Sequence, residues 1–299
     1  MKKILPETCL EMLRLAATDL PPDVEQVMRD AARREAGGTA ASAALGILIE
    51  NIAMARAQSR PMCQDTGTNT WWIRHPENMS GRVIRSAVVA ATRKAVKAGF
   101  LRPNSVDSVT GQNSGDGTGL LHPVVHLEQW ARADLALDLL LKGGGCENVS
   151  AQMALPDVSI SAGRDLEGVR RAVLLIVQKA QGKGCSPGVL GICIGGDRAT
   201  GFAAAKEQLL RPLRDRNPDP LLADLEKRIL AEANTLGVGP MGFGGATTLL
   251  GVKAVKAHRL PASFFVTVAY SCWSLRRAHA RISRGRAAFA REPFVHKGR

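Results

Sequence analysis

Aromatic residues are scarce in this 299-residue chain, at 4% of the sequence, and Tyr270 is the single tyrosine. The core must therefore be built mainly from Ala, Val, Leu and Ile, within a hydrophobic fraction of 45%. That fraction and that length are enough for a substantial buried core, which excludes a peptide, a fibre or a wholly disordered chain. The 30 glycines and 15 prolines follow no short period, so collagen-like and low-complexity tracts are excluded as well.

An apolar segment long enough for a signal peptide or a membrane span is also missing. The basic start at Lys2 and Lys3 is followed by Glu7, Glu11 and Arg14 rather than by an apolar stretch, so export is not expected. No uninterrupted run approaches about 18 apolar residues, which argues against a membrane-spanning helix. We therefore expect a cytoplasmic protein.

Acidic residues are too few to balance the basic ones. Subtracting 27 Asp and Glu from 40 Lys and Arg leaves a formal net charge of +13, which attracts anions of any kind. Basic residues concentrate between Arg276 and Arg291, where we expect a solvated helix face or an electrostatic interface. No aromatic residues alternate with these cations as they do in base-stacking surfaces, so nucleic acid is not an expected partner.

The cysteines form no closely spaced pair, and CxxC does not occur. The six are Cys9, Cys63, Cys146, Cys185, Cys193 and Cys272. In a cytoplasmic chain this spacing favours free thiols, metal ligands or catalytic cysteines over disulfides. Three thiolates can hold an iron–sulfur cluster and leave one iron without a protein ligand. Spacing alone also leaves buried structural cysteines and a zinc site open.

Hydrophobic periodicity predicts a mixed α/β fold, in one domain over residues 1–299 with a helical N-terminal lobe over about residues 1–60. Helices are predicted over 7–15, 22–36, 39–59, 81–99, 166–181, 202–213 and 220–236. Strands are predicted over 70–74, 124–130, 135–141, 189–194, 249–256 and 263–270. The strand order cannot be derived from this pattern.

Glycine and polar residues gather in loops at the ends of the predicted elements. The most distinctive read Cys63-Gln64-Asp65-Thr66-Gly67, Lys142-Gly143-Gly144-Gly145 and Gly239-Pro240-Met241-Gly242-Phe243-Gly244-Gly245. Glycine lets a backbone N–H approach a ligand closely, so these loops and the positive charge suit an anion-binding active site. None of them matches the dinucleotide fingerprint or the phosphate loop of nucleotidases.

These loops, with the stretch from Pro261 to Phe265 that leads to Cys272-Trp273, closely resemble the iron–sulfur-dependent hydro-lyases of the class I fumarase and L(+)-tartrate dehydratase family. The resemblance runs in the same order over about residues 61–277, and it is to the α subunit, or to the N-terminal domain of single-chain members. It implies reversible hydration of fumarate to L-malate, which the Gly-Pro-Met-Gly-Phe-Gly-Gly loop favours. Dehydration of L(+)-tartrate to oxaloacetate is the alternative, and the cysteine at position 146 slightly favours it. A non-catalytic basic or zinc-binding module is the alternative of another class.

The resemblance also implies a ligand set and a substrate site. A [4Fe-4S] cluster would be held by Cys63, Cys185 and Cys272, with the substrate on the fourth iron; Cys146, Cys193 and Cys9 are treated as non-ligands. Gln64 and Asp65 would contact the substrate, with Asp65 transferring a proton. Without the adjoining cysteine, an Asp before Thr-Gly indicates a turn residue.

Three further residues are assigned by the same resemblance. Arg102 would bind a substrate carboxylate through its bidentate guanidinium, the alternative being a surface arginine after a helix. Gly144 and Gly145 would offer backbone N–H donors to a carboxylate, the alternative being a simple turn at the end of a strand.

The resemblance finally implies a partner. Single-chain members of the family continue into a second domain that supplies further arginines, a lysine and a catalytic threonine, and no such half is found here. We therefore expect a hetero-oligomer in which a β subunit completes the active site. The loop after Asp116 departs from the family pattern, which commonly has Asn and Pro close after the Asp, whereas this chain continues with Gly117-Thr118-Gly119-Leu120-Leu121-His122. This difference predicts an altered loop shape.

Overall fold

The computed structural model describes residues 1–290, and its helices and two mixed sheets confirm the predicted mixed α/β class. In this part of the chain the helices are α1 (Leu5–Thr18), α2 (Pro22–Arg34), α3 (Ala40–Gln58), α4 (Gly81–Lys97), α5 (Gly144–Asn148), α6 (Leu166–Ala180), α7 (Arg198–Gln208) and α8 (Pro220–Thr235). The strands are β1 (Thr68–Pro76), β2 (Val124–Trp130), β3 (Leu135–Lys142), β4 (Ala151–Ala154), β5 (Gly188–Ile194), β6 (Leu249–Lys256), β7 (Phe265–Ser271), β8 (Arg276–Ser283) and β9 (Arg286–Ala290).

The described residues form two compact units. The first consists of Met1–Pro22, Glu50–Gly143 and the segment from Arg276 onward, and the second consists of Asp23–Ile49 and Gly144–Leu275. The helices of the first sixty residues are shared between them, because α1 belongs to the first unit, α2 to the second, and α3 runs through both.

The first unit contains a five-stranded sheet in the order β2, β1, β3, β8, β9, in which only β1 and β2 are parallel. Strand β3 reads Leu-Ala-Leu-Asp-Leu-Leu-Leu-Lys and is buried along its whole length. Leu135, Leu137 and Leu139 alternate along it and face one hydrophobic core, to which β1 contributes Trp71 and α4 contributes Val88. Helices α1 and α4 cover this face of the sheet.

The expectation of a solvated helix face in the basic C-terminal segment is wrong, because Arg276–Ser283 is strand β8 in the interior of the sheet. The strand alternates between apolar and charged residues, with Ala278, Ala280 and Ile282 in the core of the first unit, and the charged residues at its start are buried as well. The basic residues of this segment were interpreted as a solvated helix face, and the alternation of apolar and charged residues that predicts a strand was overlooked. Arg291, at the end of the predicted basic segment, lies outside the described residues.

The second unit contains a four-stranded sheet in the order β4, β7, β5, β6. Its central strand β5 reads Gly-Val-Leu-Gly-Ile-Cys-Ile and is buried throughout, as expected of a strand covered on both faces. Leu190 and Ile192 face a core formed with α6 and α8, whereas Gly191 points to the other face. A Cβ built on Gly191 would lie 2.0 Å from the carbonyl oxygen of Ala205 in α7, so α7 packs directly on the backbone of β5.

Side-chain caps explain where two helices begin. The carboxylate of Asp197 accepts hydrogen bonds from the N–H groups of Ala199 and Thr200, so α7 begins at Arg198, ahead of the predicted 202–213. Asp219 caps α8 in the same way, with a proline at the first helical position as predicted.

Helix α3 is, within residues 1–290, the one helix that is long and apolar enough to cross a membrane by length and composition, with a mean hydropathy of 1.3 over its best window. Glu50 and Arg56 interrupt the apolar residues of this helix, so it contains no uninterrupted apolar run of the length expected for a span. Core helices of soluble proteins meet the same two criteria, so a single such helix is weak support for a membrane span.

Candidate active site

The segment that carries Cys63 leaves helix α3 and is fixed by hydrogen bonds within the first unit. The N–H of Met62 donates to the carbonyl oxygen of Ala17 at 3.0 Å, and the carbonyl oxygen of Met62 accepts from Asn51 Nδ2 at 2.8 Å. Met62 is buried, whereas Cys63 is half-buried and Gln64 is exposed. The Cys63 thiol therefore follows an anchored residue, and the Gln64 side chain beside it is accessible.

The carboxylate of Asp65 lies against the glycine that follows strand β3. Its Oδ1 accepts a hydrogen bond from the N–H of Gly67 at 3.1 Å, which is the turn that Asp-Thr-Gly indicates. A Cβ built on Gly143 would lie 2.8 Å from Asp65 Oδ2, so any side chain at position 143 would push the carboxylate aside. Asp65 is thus a turn residue whose other carboxylate oxygen faces the loop after β3.

Thr66 and Gly67 tie this turn to two neighbouring segments of the first unit. Gly67 has a φ of +78°, and a Cβ there would lie 2.8 Å from the backbone carbon of Lys142, so the close approach requires glycine. Thr66 Oγ1 accepts from the N–H of Arg102 at 3.1 Å. Arg102 is exposed, and its guanidinium forms no salt bridge with any residue in 1–290. The network therefore holds the predicted proton-transfer carboxylate and the predicted carboxylate-binding arginine on neighbouring segments.

Gly144 and Gly145 begin the short helix α5 rather than a simple turn. Both are exposed, and a Cβ built on Gly145 would lie 3.8 Å from the carbonyl oxygen of Lys183, in the segment that leads to Cys185. Carboxylate binding by these two glycines stays a prediction.

Cys185 occupies a tight turn in the second unit, with a φ of 54° and a ψ of 62°, at the end of the 3-10 turn Gln181–Gly184. A cis peptide bond joins Ser186 and Pro187, after which β5 begins. Left-handed backbone is uncommon for residues other than glycine, and it persists where the surrounding structure enforces it. The turn at Cys185 is therefore held by its neighbours.

One of those neighbours is the loop over Gly239 to Gly245. Ser186 is fully buried, its Oγ donates to the carbonyl oxygen of Gly239 at 2.6 Å, and its carbonyl oxygen accepts from the N–H of Met241 at 2.8 Å. Gly239 has a φ of +66°, and a Cβ there would lie 1.6 Å from the carbonyl oxygen of Gly244. The glycine-rich motif thus folds tightly on itself and supports the Cys185 turn.

Cys272 follows strand β7 and lies beside the Cys185 turn. The N–H of Trp273 donates to the carbonyl oxygen of Cys185 at 3.2 Å. The Sγ of Cys272 lies 3.7 Å from both the carbonyl oxygen and the Oγ of Ser274. Strands β5 and β7 are antiparallel neighbours, so the start of β5 and the end of β7 meet at the same end of the sheet. This topology brings two of the predicted ligands together.

Cys146 shares that environment. Its Sγ lies 3.7 Å from the carbonyl oxygen of Gly184, and the residue is buried. Burial of Tyr270, with smaller contributions from the nearby thiols of Cys146, Cys272 and Cys185, raises the pKa of the phenol well above its ordinary value. The phenol is therefore neutral at physiological pH, and three thiols lie near one buried ring.

The remaining two cysteines lie in hydrophobic surroundings. Burial raises the pKa of the Cys9 thiol in α1 far above its ordinary value, with a smaller contribution from Glu7. Burial likewise raises the pKa of Cys193 in β5 to about 11. A thiol that resists ionisation is a poor metal ligand and a poor nucleophile, which supports leaving both outside the ligand set.

Cys63 belongs to the first unit, and Cys185 and Cys272 belong to the second. Across residues 1–290, no three His, Cys, Asp or Glu side chains form a group that could hold a single metal ion. All six cysteines are free thiols. The assignment of Cys63, Cys185 and Cys272 as cluster ligands stays a prediction.

Sequence reasoning missed a group of buried cations in the first unit. Lys142 at the end of β3 and Arg276 at the start of β8 are each 1% exposed, and Arg277 is also buried. Further along β8, Nδ1 of His279 lies 2.7 Å from Oδ1 of Asp138 on β3. A buried cation is costly unless it is paired, so these side chains need partners inside the protein. The period-two alternation of β8 was the available signal.

Comparison with known proteins gives the family. A model of the family described as fumarate hydratase (Fumerase) matches residues 6–281. A Geobacillus stearothermophilus protein named as a class I fumarate hydratase is 48% identical over 279 residues, which cover 92% of this chain and 54% of that protein. A Methanocaldococcus jannaschii protein named as L(+)-tartrate dehydratase subunit alpha is 34% identical, covering 92% of this chain and 96% of that protein. The Escherichia coli K12 L(+)-tartrate dehydratase subunit alpha is 28% identical, covering 91% and 89%.

The chain spans about half the length of the Geobacillus relative and nearly the whole length of the two subunit alpha relatives. The names of the latter imply that those proteins act with a partner subunit. The family match includes every predicted site residue from Cys63 to Cys272 and almost all of the described chain. The predicted resemblance is therefore confirmed, and the chain belongs to the fumarate hydratase (Fumerase) family.

Proposed function

We propose that this chain is the α subunit of an iron–sulfur-dependent hydro-lyase that reversibly hydrates fumarate to L-malate. The observation that carries the proposal is the position of the Asp65 carboxylate, which follows Cys63 closely and packs against Gly143 at the end of β3. The family match over residues 6–281 and the 48% identity to a protein named as a class I fumarate hydratase support this substrate.

The donor set fits a [4Fe-4S] cluster in its chemistry. Cysteine thiolates are the ligands of such clusters, and Cys63 and Cys185 are half-buried, whereas Cys9 and Cys193 lie in hydrophobic surroundings. Cys185 and Cys272 already adjoin within the second unit, through the Trp273 N–H bond. When bound by three cysteines, the cluster supplies a Lewis acid at the iron that has no protein ligand.

The chain's own residues bind the substrate and move the proton. In hydration the Asp65 carboxylate takes a proton from the water that adds to the double bond, and in dehydration it returns that proton to the departing hydroxyl. The exposed Gln64 amide donates to a substrate oxygen. Arg102, whose guanidinium has no salt bridge within residues 1–290, binds one substrate carboxylate. The amides of Gly144 and Gly145, at the first turn of α5, bind the other. The formal net charge of +13 favours a dianionic substrate.

In this proposal residues 1–299 form one catalytic domain. A separate β subunit completes the active site, and the two chains form a hetero-oligomer. The subunit alpha names of relatives that this chain covers almost completely support a separate partner. Six free cysteines in the described chain are consistent with a reducing compartment, so we place the protein in the cytoplasm.

The experiment that tests the proposal measures iron and acid-labile sulfide per chain after strictly anaerobic purification. We expect about four of each. The chain is then combined with a separately expressed fragment that covers the remaining length of the Geobacillus relative, and fumarate hydration is followed by the loss of fumarate absorbance. Absence of iron and sulfide after anaerobic reconstitution would reject the cluster and leave the basic or zinc-binding module as the better account.

Dehydration of L(+)-tartrate to oxaloacetate is the second candidate. The placement of Cys146 beside the Cys185 turn and the subunit alpha names of two relatives favour it. The same reconstituted complex distinguishes the two reactions, because kcat/KM for fumarate and for L(+)-tartrate are measured on one preparation. A ratio that favours tartrate would overturn the fumarate assignment and leave the hydro-lyase class standing.

A further inference from the structure

We propose that the ring of Tyr270 positions the Cys185 turn for iron binding, by occupying the space that Gly184 and Gly188 leave open on either side of the cysteine. This inference rests on the proposed function, because it assigns Cys185 to the cluster. It concerns a residue that touches neither substrate nor reacting atoms, so Tyr270 is a positioning residue.

The two glycines that flank the turn leave room for the ring of Tyr270. A Cβ built on Gly184 would lie 2.5 Å from Tyr270 Cε1, and one built on Gly188 would lie 2.3 Å from Cζ and 2.4 Å from the hydroxyl oxygen. Neither glycine has a positive φ, so an alanine is compatible with both backbones. The ring of Tyr270 is therefore the nearest obstacle at both positions, joined at Gly184 by Val149 Cγ2 at 2.9 Å, and it lies against the backbone on both sides of Cys185.

The backbone of Tyr270 is anchored to another cysteine segment of the second unit. The N–H of Tyr270 donates to Ser150 Oγ at 3.0 Å, and that hydroxyl donates to the carbonyl oxygen of Cys146 at 2.8 Å. Tyr270 lies two residues before Cys272 on the same chain segment. Tyr270, 1% exposed, thus contacts the segment of Cys185 through its ring and the segment of Cys146 through its backbone, and it lies on the segment of Cys272.

The left-handed backbone of Cys185 makes such support necessary. A non-glycine residue in this conformation relaxes unless its surroundings hold it, and the residues that flank Cys185 contact both the Gly239 to Gly245 loop and Tyr270. Removing the ring opens a cavity beside the turn, and the thiol then samples positions that do not suit a rigid cluster.

A double-mutant cycle tests the geometry. Gly188→Ala places a methyl group in the ring of Tyr270 and is expected to displace the turn. Tyr270→Leu removes Cζ, Cε1 and the hydroxyl, which are the three atoms that this methyl group meets, so the double variant is expected to regain part of the loss. Tyr270→Phe keeps Cζ, so it is not expected to rescue Gly188→Ala.

Two measurements are made on each variant. The first is the alkylation rate of Cys185 in the cluster-free protein, resolved by mass spectrometry, with the buried Cys193 as internal control. The second is iron per chain after anaerobic reconstitution. Tyr270→Leu and Gly188→Ala are each expected to alkylate at Cys185 about tenfold faster than the original chain and to lose at least half of the iron. Tyr270→Phe is expected to change both quantities by less than about twofold.

A matched variant separates positioning from general stability. Leu225→Ala creates a cavity in the same hydrophobic core, on α8, and is expected to lower Tm while leaving Cys185 reactivity and iron binding unchanged. Equal effects of Leu225→Ala and Tyr270→Leu on Cys185 would overturn the proposal, and so would unchanged Cys185 reactivity in Tyr270→Leu. If the original chain takes up no iron, the proposed function fails, while the alkylation cycle still decides whether Tyr270 holds the turn.

Discussion

The backbone N–H of Trp273 donates a hydrogen bond to the carbonyl oxygen of Cys185 at 3.2 Å. This bond joins the two cysteine segments of the second unit without using either thiol. Because both partners are main-chain groups, the bond fixes the backbones that carry the two thiols. The arrangement is typical of sites in which ligands are preorganised by main-chain contacts.

Substitution of the three predicted ligands should lower the iron content of the chain, whereas substitution of another cysteine should not. Cys63→Ala, Cys185→Ala and Cys272→Ala are each expected to reduce iron per chain by more than half, because three thiolates hold the cluster. Cys193→Ala removes a buried thiol of raised pKa and is expected to retain the iron. Iron and sulfide analysis after anaerobic reconstitution checks this. Retention of the cluster in Cys63→Ala would remove that residue from the ligand set.

Gly143→Ala should disturb catalysis more than folding. Its Cβ would lie 2.8 Å from Asp65 Oδ2, so the carboxylate must rotate away from the loop after β3. We expect kcat in the reconstituted complex to fall at least tenfold, with Tm lowered by only a few degrees. Gly37→Ala is the matched control, since a Cβ there meets nothing within 4 Å. Similar activity in both variants would contradict the importance of the Asp65 position.

Ser186→Ala tests the contact between the Cys185 turn and the glycine-rich loop. The variant deletes the buried 2.6 Å bond from Ser186 Oγ to the carbonyl oxygen of Gly239. The free energy of unfolding is expected to fall by about 1 kcal/mol, measured by urea denaturation, and Cys185 alkylation in the cluster-free chain should accelerate. Ser283→Ala, at an exposed position on β8, is expected to change neither quantity.

Asp215 gives the second unit a pH-dependent stability. Burial alone would raise the pKa of this carboxyl, but hydrogen bonds from Arg211 and Lys253 together hold the pKa below its ordinary value of 3.8. Because the folded-state pKa is the lower one, the stabilisation is fully present above about pH 4 and is lost as pH falls through the folded-state value. Asp215→Asn is therefore expected to lower the free energy of unfolding by about 2 kcal/mol at pH 7.

The pH profile is the decisive measurement for that variant. The difference between Asp215→Asn and the original chain should shrink as the pH is lowered below about 4, since the original carboxyl then becomes neutral. The exposed Asp224→Asn is the matched control and is expected to show no such trend. A constant difference over the whole pH range would reject a role of the Asp215 charge.

Local signals in the sequence were sufficient for most elements. Asp219 and Pro220 mark the start of α8, and the apolar run of β5 predicts a buried strand within one residue of its observed bounds. Strand β8 was missed because Arg277 and Arg281 outweighed the alternating Ala278, Ala280 and Ile282. The charges on its other face are paired inside the protein, with Arg281 bonded to Asp134, and pairing across a sheet is invisible in a single strand.

The positions of the site residues in space could not be predicted from the spacing of residues along the sequence. Asp65 and Gly143 meet because β1 and β3 are neighbours in the sheet, and strand order could not be derived from the periodicity. The resemblance supplied the site residues, and the structure shows how some of them are held, as Thr66 holds the segment of Arg102. Tyr270 had no sequence signal beyond being the single tyrosine, since its role depends on two glycines of another strand and turn.

The position of β8 between β3 and β9 has a consequence for biosynthesis. On the ribosome, the Leu-rich edge of β3 emerges early, and its partner β8 follows only after the whole of Gly144–Leu275 has been translated. Until then a long hydrophobic edge with unsatisfied backbone groups is open to pairing with other nascent chains. Chaperone dependence and misassembly during overexpression are the expected result, and slow, cold expression should favour the native product.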